Sequence, residues 1–313
     1  MQNLINDPFQ FKESRKDEEL FSEDEIKYLC EITVKSEINK DNVVKLNDNF
    51  SDVLIIGDIH GDFTSLTRIT RHFIDGKVNS LLFLGDYVDR GKDALLVICY
   101  LFTLNQMYPE HIQLLRGNHE DQQLNLRYGF SRELSSHYPD NEKKQRIHDL
   151  LDQTFNFLSL SAITPKNSMC MHGGIPNGNP TITEINQLPK PHFNLIREEK
   201  ERREHLKSIM DGILWNDPSQ KISKEFVDSP RGYGFYLFSE EANNKFLDKN
   251  HLSRIIRAHE SSRGGFEKLF AGRLLHIFST EPYFGQIEKA YVLHESKKLT
   301  VVRDLDFEQV KTI

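Results

Sequence analysis

The sequence predicts an α/β fold in which helices cover buried sheets. From residue 52 onward short apolar runs recur, and each breaks into a polar, glycine-bearing turn. An apolar segment long enough for a helix separates the second run from the third. Alternation of strand, helix and strand in this manner belongs to layered α/β packing, where strands covered on both faces read as continuous apolar runs. At 313 residues the chain can bury one large core without disulfides, and its 38% hydrophobic and 28% charged residues suit a soluble globular protein.

The elements follow in order. Residues 1–20 are polar and charged and are expected to form a loose arm, leaving 21–313 as one compact domain. In "FSEDEIKYLCEITVKSEI", Ser22 and Glu25 match a helix capping box, and Ile26, Leu29, Cys30 and Val34 recur at helical spacing. The apolar runs are "VLIIGDIHG" (53–61), "LLFLGDYVDRG" (81–91), "IQLLRGNHE" (112–120), "SMCMHGG" (168–174), "SRIIRAHE" (253–260) and "LLHIFSTEPYFG" (274–285). Segment 93–109, "DALLVICYLFTLNQMYP", reads as a helix closed by Pro109. The later strands lie closer together, so antiparallel pairing is expected there. The charged stretches 137–150 and 194–210 read as solvated helix faces. No linker composition divides the chain.

Several classes are disfavoured. A net charge of −7 argues against a broad nucleic-acid or anionic-membrane surface. Three cysteines, Cys30, Cys99 and Cys170, are far apart with no CxxC pair, as expected of reduced thiols in a cytoplasmic protein. The first residues lack a basic start followed by an apolar run, and no stretch approaches the roughly 18 apolar residues of a membrane helix.

The polar residues fall where chemistry is expected. In open α/β sheets, sites gather beyond the carboxyl ends of strands. Five such ends present Asp58 and His60, then Asp86, Asn118, His172 and His259. These oxygen and imidazole donors, with no thiolate among them, suit manganese, iron or zinc. Two carboxylates against two divalent ions leave a positive balance that a phosphate dianion would seek. A single Gly-Asp turn carries little information; the ordered recurrence of such ends carries much.

The motifs "GDIHG", "GDYVDRG", "LRGNHE", "HGG" and "RAHE", with "LWNDP" and "RGYGF", resemble the phosphoprotein phosphatase family, whose best-known members are the type 1, type 2A and calcineurin serine/threonine phosphatases. The resemblance runs from about Phe21 to about Asp306. It implies a central β-sandwich flanked by helices, an α+β four-layer fold of the calcineurin-like metallophosphoesterase type, with a dinuclear metal centre at one edge. By that resemblance Asp58, His60 and Asp86 would hold one metal, and Asp86, Asn118, His172 and His259 the other, with Asp86 bridging. His119 would be the general acid, oriented by Asp89. Arg90 and Arg231, with Asn118 and Tyr283, would contact the substrate phosphate.

The implied activity is hydrolysis of phosphoserine and phosphothreonine by direct attack of dimetal-bound water. Phosphate monoesters hydrolyse so slowly unaided that an enzyme must supply up to about 10²¹-fold acceleration. A serine alkoxide is a poor leaving group, so a positioned imidazolium contributes typically about 10²–10⁴-fold. The cofactors are two divalent metal ions, manganese being the choice for assay. The partners are phosphoprotein substrates and regulatory subunits that would lend specificity, with neither nucleic acid nor membrane among them.

The sequence departs from the family near Tyr283, where "STEPYFG" replaces "SAPNYCG": Phe284 stands for the cysteine and Glu281 adds a charge. "GDIHGD" and "RAHE" are milder changes, and "DFEQVKTI" lacks the type 2A tyrosine-leucine tail. A dinucleoside-polyphosphate hydrolase would share the first metal motifs, but the "LWNDP", "RGYGF" and "RAHE" half favours protein substrates. A non-catalytic scaffold would be expected to have lost ligands, and none is lost.

Overall fold

The computed structural model of the chain describes residues 20–262, 264–280, 291–303 and 308–312. The expectation of a loose arm over 1–20 therefore lies almost wholly outside the described residues.

The strands, in chain order, are β1 (Val43–Lys45), β2 (Val53–Ile56), β3 (Ser80–Phe83), β4 (Ile112–Leu114), β5 (Ser161–Ile163), β6 (Ser168–Met171), β7 (Asp217–Pro218), β8 (Phe226–Asp228), β9 (Tyr236–Phe238), β10 (Arg254–Arg257), β11 (Phe266–Leu269), β12 (Leu274–Ile277), β13 (Tyr291–Glu295), β14 (Leu299–Arg303) and β15 (Glu308–Thr312). One sheet runs β15-β14-β13-β2-β3-β4 and the other β1-β5-β6-β10-β12-β11; β7-β9-β8 form a small third sheet. Within the large sheets, β2, β3 and β4 are parallel, as are β6, β10 and β12. The expected antiparallel pairing occurs late, between β11 and β12 and through β13, β14 and β15.

Side-chain alternation builds the layers. Val53 and Ile55 of β2 pack with Ile256 of β10 and Leu275 of β12, so the two sheets stack face to face. Leu54 and Ile56, pointing the other way, pack with residues of helices 23–37, 63–74, 94–107 and 141–155. On the far face, Met169 and Met171 of β6 and Ile255 of β10 pack with helices 200–215 and 240–249. The result is four layers, helix–sheet–sheet–helix.

The helices match their sequence signals. Ser22 caps helix Glu23–Glu37, with Glu25 N donating to Ser22 Oγ at 3.2 Å and Ser22 N to Glu25 Oε2 at 2.9 Å. Helix Ala94–Met107 is buried continuously from Ala94 to Asn105, which is why its sequence shows no polar face. The two charged stretches fall largely in helices Asn141–Phe155 and Lys200–Trp215. Cys30, Cys99 and Cys170 are all buried, and no helix among the described residues is long and apolar enough to cross a membrane.

Because the parallel strands share a direction, the turns after β2, β3, β4, β6 and β10 emerge at one edge of the sandwich. That edge depends on the sheet-to-sheet layer beneath it. Replacing Ile256 by Ala is expected to lower stability by about 2–5 kcal/mol, the range for removing a buried Ile side chain. Urea denaturation measures it, and a loss under about 1 kcal/mol would mean that the two sheets close around the gap.

Candidate metal centre

Close backbone approach brings the turns together. A Cβ on Gly85 would lie 2.3 Å from Gly117 N, and one on Gly117 would lie 2.3 Å from both Asp86 N and Asp86 Oδ1. Glycine at these two positions is what allows the turns after β3 and β4 to touch. The amides of Ile59 and His60 both donate to Asp86 O, at 3.0 and 2.8 Å, tying in the turn after β2. His60, Asp86, Asp89, Arg90 and His259 all have positive φ, from 45° to 78°. Left-handed backbone is costly for residues with a Cβ, and its concentration here means the surrounding contacts enforce it.

Glu120 is the principal enforcer. It is fully buried, and its carboxylate accepts from Asp86 N (2.8 Å), Tyr87 N (2.8 Å) and Gly117 N (2.7 Å). Burial and the charge of Asp86 push its carboxyl up to about 7. The Tyr87 and Asp86 amides oppose that shift, since only an ionised carboxylate meets N–H groups with acceptors alone. Asp86 Oδ1 accepts from His119 N at 2.9 Å, and Asp58 Oδ1 from His259 N at 2.9 Å.

The side chains at these strand ends lie close together. His60 Nε2 lies 3.4 Å from Asp86 Oδ2 and 3.6 Å from Asp58 Oδ2. His172 Nε2 lies 2.7 Å from Asn118 Oδ1, 3.3 Å from Asp86 Oδ1 and 3.1 Å from His259 Nδ1. His60, Asp86 and His119 form one group able to hold a metal ion; Asp86, His172 and His259 form a second. Asp86 belongs to both.

The donor set fits cations. His60 Nδ1 sits 2.9 Å from Val88 O, a pure acceptor, so Nδ1 carries the ring proton. Burial pushes His60 down to about 3; the neutral ring then aims its Nε2 lone pair at two carboxylates. His172 repeats the pattern, with Nδ1 3.1 Å from Leu84 O and Nε2 facing Asn118 Oδ1. Orientation of ligating histidines through the other ring nitrogen is how metal sites fix the tautomer. Asp58 Oδ2 is buried with no hydrogen-bond partner, and burial together with Asp86's charge pushes its carboxyl up to about 6. Burial also opposes charge on Asp86, but His172 and His119 outweigh it and hold that carboxyl well below the usual range. Positive charge placed among these atoms would relieve both conflicts.

Around the cleft lie His119, Asp89, Arg90 and Arg231. His119 Nδ1 is 2.7 Å from Asp89 Oδ2. Burial opposes charge on His119, but Asp86 and Asp89 outweigh it and raise its pKa. Asp89 is itself held, accepting from Asn125 Nδ2 and Phe130 N at 3.0 Å each. Arg90 Nη2 is 3.3 Å from His119 Nε2, and its guanidinium lies over the Tyr128 ring at 5.1 Å. Arg231 stands across the cleft, ion-paired to Asp217. The cleft between them has a volume of about 240 Å³ and is lined by both arginines, His119, Tyr128 and Trp215. Tyr283 lies outside the described residues.

Sequence reasoning missed four contributors. Glu120 stood inside "LRGNHE" without a role. Asp217, in "LWNDP", accepts from Arg231 and from the fully buried Arg257 at 2.8 Å. Arg257 also reaches Gly173 O at 2.7 Å and Glu260 at 2.7 Å, tying together the turns that bear His172 and His259. Tyr128 follows "LNLR", where nothing in the spacing marks an arginine-stacking ring. A charged residue directly after an apolar pair, as in "RIIR", was the available signal for Arg257.

Residues 51–262 match the family model described as calcineurin-like phosphoesterase. A Schizosaccharomyces pombe protein, provisionally named a serine/threonine-protein phosphatase, is 34% identical over 267 residues, 85% of this chain and 81% of the relative. A solved serine/threonine phosphatase from Saccharomyces cerevisiae, described as similar to human phosphatase PP5, superposes with a TM-score of 0.78 at 25% identity, over 93% of this chain and 91% of that one. A cold-active protein-tyrosine phosphatase from Shewanella shares the fold, with a TM-score of 0.60 at 17% identity over 88% of this chain and 83% of that one.

Replacing Glu120 by Ala would leave three buried amides without an acceptor. At about 1–3 kcal/mol for each unsatisfied group, the expected loss is at least about 3 kcal/mol. Thermal and denaturant melts measure it; an unchanged midpoint would show that the amides find other acceptors.

Proposed function

The chain belongs to the calcineurin-like phosphoesterase family, and from that premise we propose that it is a metal-dependent phosphatase of phosphoserine and phosphothreonine in proteins, with residues 21–313 as its catalytic unit. The observation that carries the reading is the inward-facing set of acceptor atoms on Asp58, His60, Asp86, Asn118, His172 and His259. In the assignment we favour, Asp58, His60 and Asp86 would hold one ion, and Asp86, Asn118, His172 and His259 would hold the other. The donor set suits manganese, iron or zinc. When bound, the ions supply Lewis acidity toward the phosphoryl group and activate water near neutral pH.

The chain's own residues do the rest. Arg90 and Arg231 face each other across the cleft and would grip phosphoryl oxygens by charge-assisted hydrogen bonds. Tyr128 under Arg90 and Asp217 beside Arg231 would limit the arrangements open to those long side chains, so that less ordering remains to be done when substrate arrives. His119 would donate a proton from Nε2 to the departing serine or threonine oxygen, while Asp89 keeps the Nδ1 proton and the ring orientation. The raised pKa of His119 favours the protonated ring that this role requires. No nucleophilic cysteine or serine motif accompanies the site, so hydrolysis in one displacement, without a phosphoenzyme, is the consistent course. The S. pombe and S. cerevisiae relatives, named as serine/threonine phosphatases, support the substrate class.

The primary test is phosphate release from a phosphothreonine peptide with added manganese, comparing native protein with Asp86→Asn. Native turnover is expected, with loss of both bound metal and turnover in the variant; equal turnover in the two would remove Asp86 from the site. Treatment with a chelator should also lower the melting temperature, and manganese should restore it, because a ligand bound only by the folded state stabilises by about 2.7 kcal/mol at a hundredfold excess over Kd.

His119→Asn is expected to lower kcat on phosphothreonine peptide by about 10²–10⁴-fold. The loss should be much smaller on p-nitrophenyl phosphate, whose leaving group needs no proton. Equal losses on the two substrates would argue against general-acid catalysis.

A further inference from the structure

We propose that the groove beside strand β8 docks an extended stretch of the phosphoprotein substrate bearing lysine or arginine, which adds to the small sheet as a fourth strand. The proposal rests on the phosphatase reading above and extends it to substrate recognition. The groove has a volume of about 790 Å³, against about 240 Å³ for the catalytic cleft. A cleft of that size takes little more than one phosphorylated side chain, so the substrate's flanking residues must find contacts outside it.

Strand β8 has the backbone for such a contact. It lies at the edge of the sheet β7-β9-β8. Val227 is paired with Leu237 of β9, Ser229 N donates to Phe235 O at 2.9 Å, and Ser239 N donates to Glu225 O at 3.0 Å. In an antiparallel ladder alternate residues turn both polar groups toward the partner. Residues 225, 227 and 229 therefore face β9, while the N–H and C=O of Phe226 and Asp228 point outward at the open edge. Exposed strand edges of this kind accept an added strand through main-chain hydrogen bonds.

The groove's side chains select charge. Glu225, Asp228 and Glu241 line it, opposed by Lys224. Lys245 neutralises part of this acidity, reaching Glu225 at 2.6 Å and Glu241 at 2.9 Å; Asp228 is exposed and has no ion pair among the described residues. Glu225 and Asp228 are three residues apart and so lie on opposite faces of the sheet, and alternate side chains of a strand laid along β8 would meet a carboxylate on either face.

The occupant is identified as substrate by the connection to the cleft. β8 runs directly into the turn that carries Arg231, a lining residue of the catalytic cleft. Asp228 and Arg231 are three residues apart, a span of at most about 11 Å, which three or four residues of an extended peptide can cover. One chain can thus place a phosphothreonine between Arg90 and Arg231 and its basic arm on β8.

The test uses phosphothreonine peptides carrying an eight-residue alternating lysine–valine arm on one side or the other, a matched peptide without the arm, and a copy of the armed peptide N-methylated at alternate residues. The protein is compared with Asp228→Lys/Glu241→Lys, both surface changes outside the catalytic cleft. One arm is expected to lower KM about five- to tenfold with kcat unchanged, a gain in line with a few cross-strand and ionic contacts. N-methylation or the double variant should remove that gain, with p-nitrophenyl phosphate turnover unaltered. Fluorescence anisotropy of the unphosphorylated armed peptide reads docking independently of turnover, so failure of the phosphatase reading stays distinguishable from failure of this one. A KM insensitive to both arms, with no binding by anisotropy, would overturn the proposal; so would a gain that survives N-methylation and the double variant, which would mark general attraction to an acidic protein.

Discussion

The fold is organised around a carboxylate that has no business being buried alone. Asp86 is only 1% exposed, its ionised form is favoured by His172 and His119 despite burial, and a second buried carboxylate, Asp58, stands close by. An isolated charge in such a place would be strongly penalised unless paired or bound to a cation. Everything adjacent can be read as an answer to that constraint. Histidine nitrogens approach from three turns, the His119 amide donates to Oδ1, and the backbone of Asp86 itself is pinned by Glu120. Removing any single contact leaves the charge with fewer partners, which couples turns from distant parts of the chain into one unit.

That coupling explains where the backbone departs from ordinary preference. Two glycines permit contact between neighbouring turns, and five residues with side chains accept left-handed conformations around them. Stable proteins generally keep local and global preferences in agreement, and violations tend to gather at functional sites. Here the violations sit at the strand ends, above a sandwich whose own strands are regular. The rigid layer beneath absorbs the cost.

The legibility of the sequence follows the same division. Apolar runs, the helix 94–107 and the Ser22–Glu25 cap were readable because each depends on local composition. The donors at the strand ends were readable because a polar residue stands out after an apolar run. The four-layer arrangement was not available from periodicity: β2 reads as uniformly apolar "VLII", although Val53 and Ile55 face one layer and Leu54 and Ile56 another. It came from family resemblance. The sheet β7-β9-β8 was hidden because its strands span only two or three residues, too few for alternation to register. Supporting groups were hidden for another reason. Glu120 and Arg257 act largely through partners far away in sequence, Asp86 and Tyr87 for the one and Gly173 and Asp217 for the other, and no local pattern encodes those partners.

The composition of the site also limits what it can hold. Asn118 contributes a neutral oxygen where an aspartate could have supplied a charged one. Under the proposed ligand assignment, a third carboxylate would bring the ligand charge from −2 to −3 and would reduce the positive excess that two divalent cations would leave. It would also face His172 Nε2 at the 2.7 Å separation now occupied by an amide oxygen. The arginines follow a complementary logic. Arg257 is fully buried and spends its donors on Gly173 O, Asp217 and Glu260, while Arg231, on the same Asp217, remains partly exposed at the cleft. One guanidinium thus stabilises the shared carboxylate from inside the protein, and the other is held in place by it without being buried. In the proposed phosphate-binding role, an arginine tethered in this way would meet an incoming dianion with its side chain already ordered, so that displacement of its hydrating water is the main cost left.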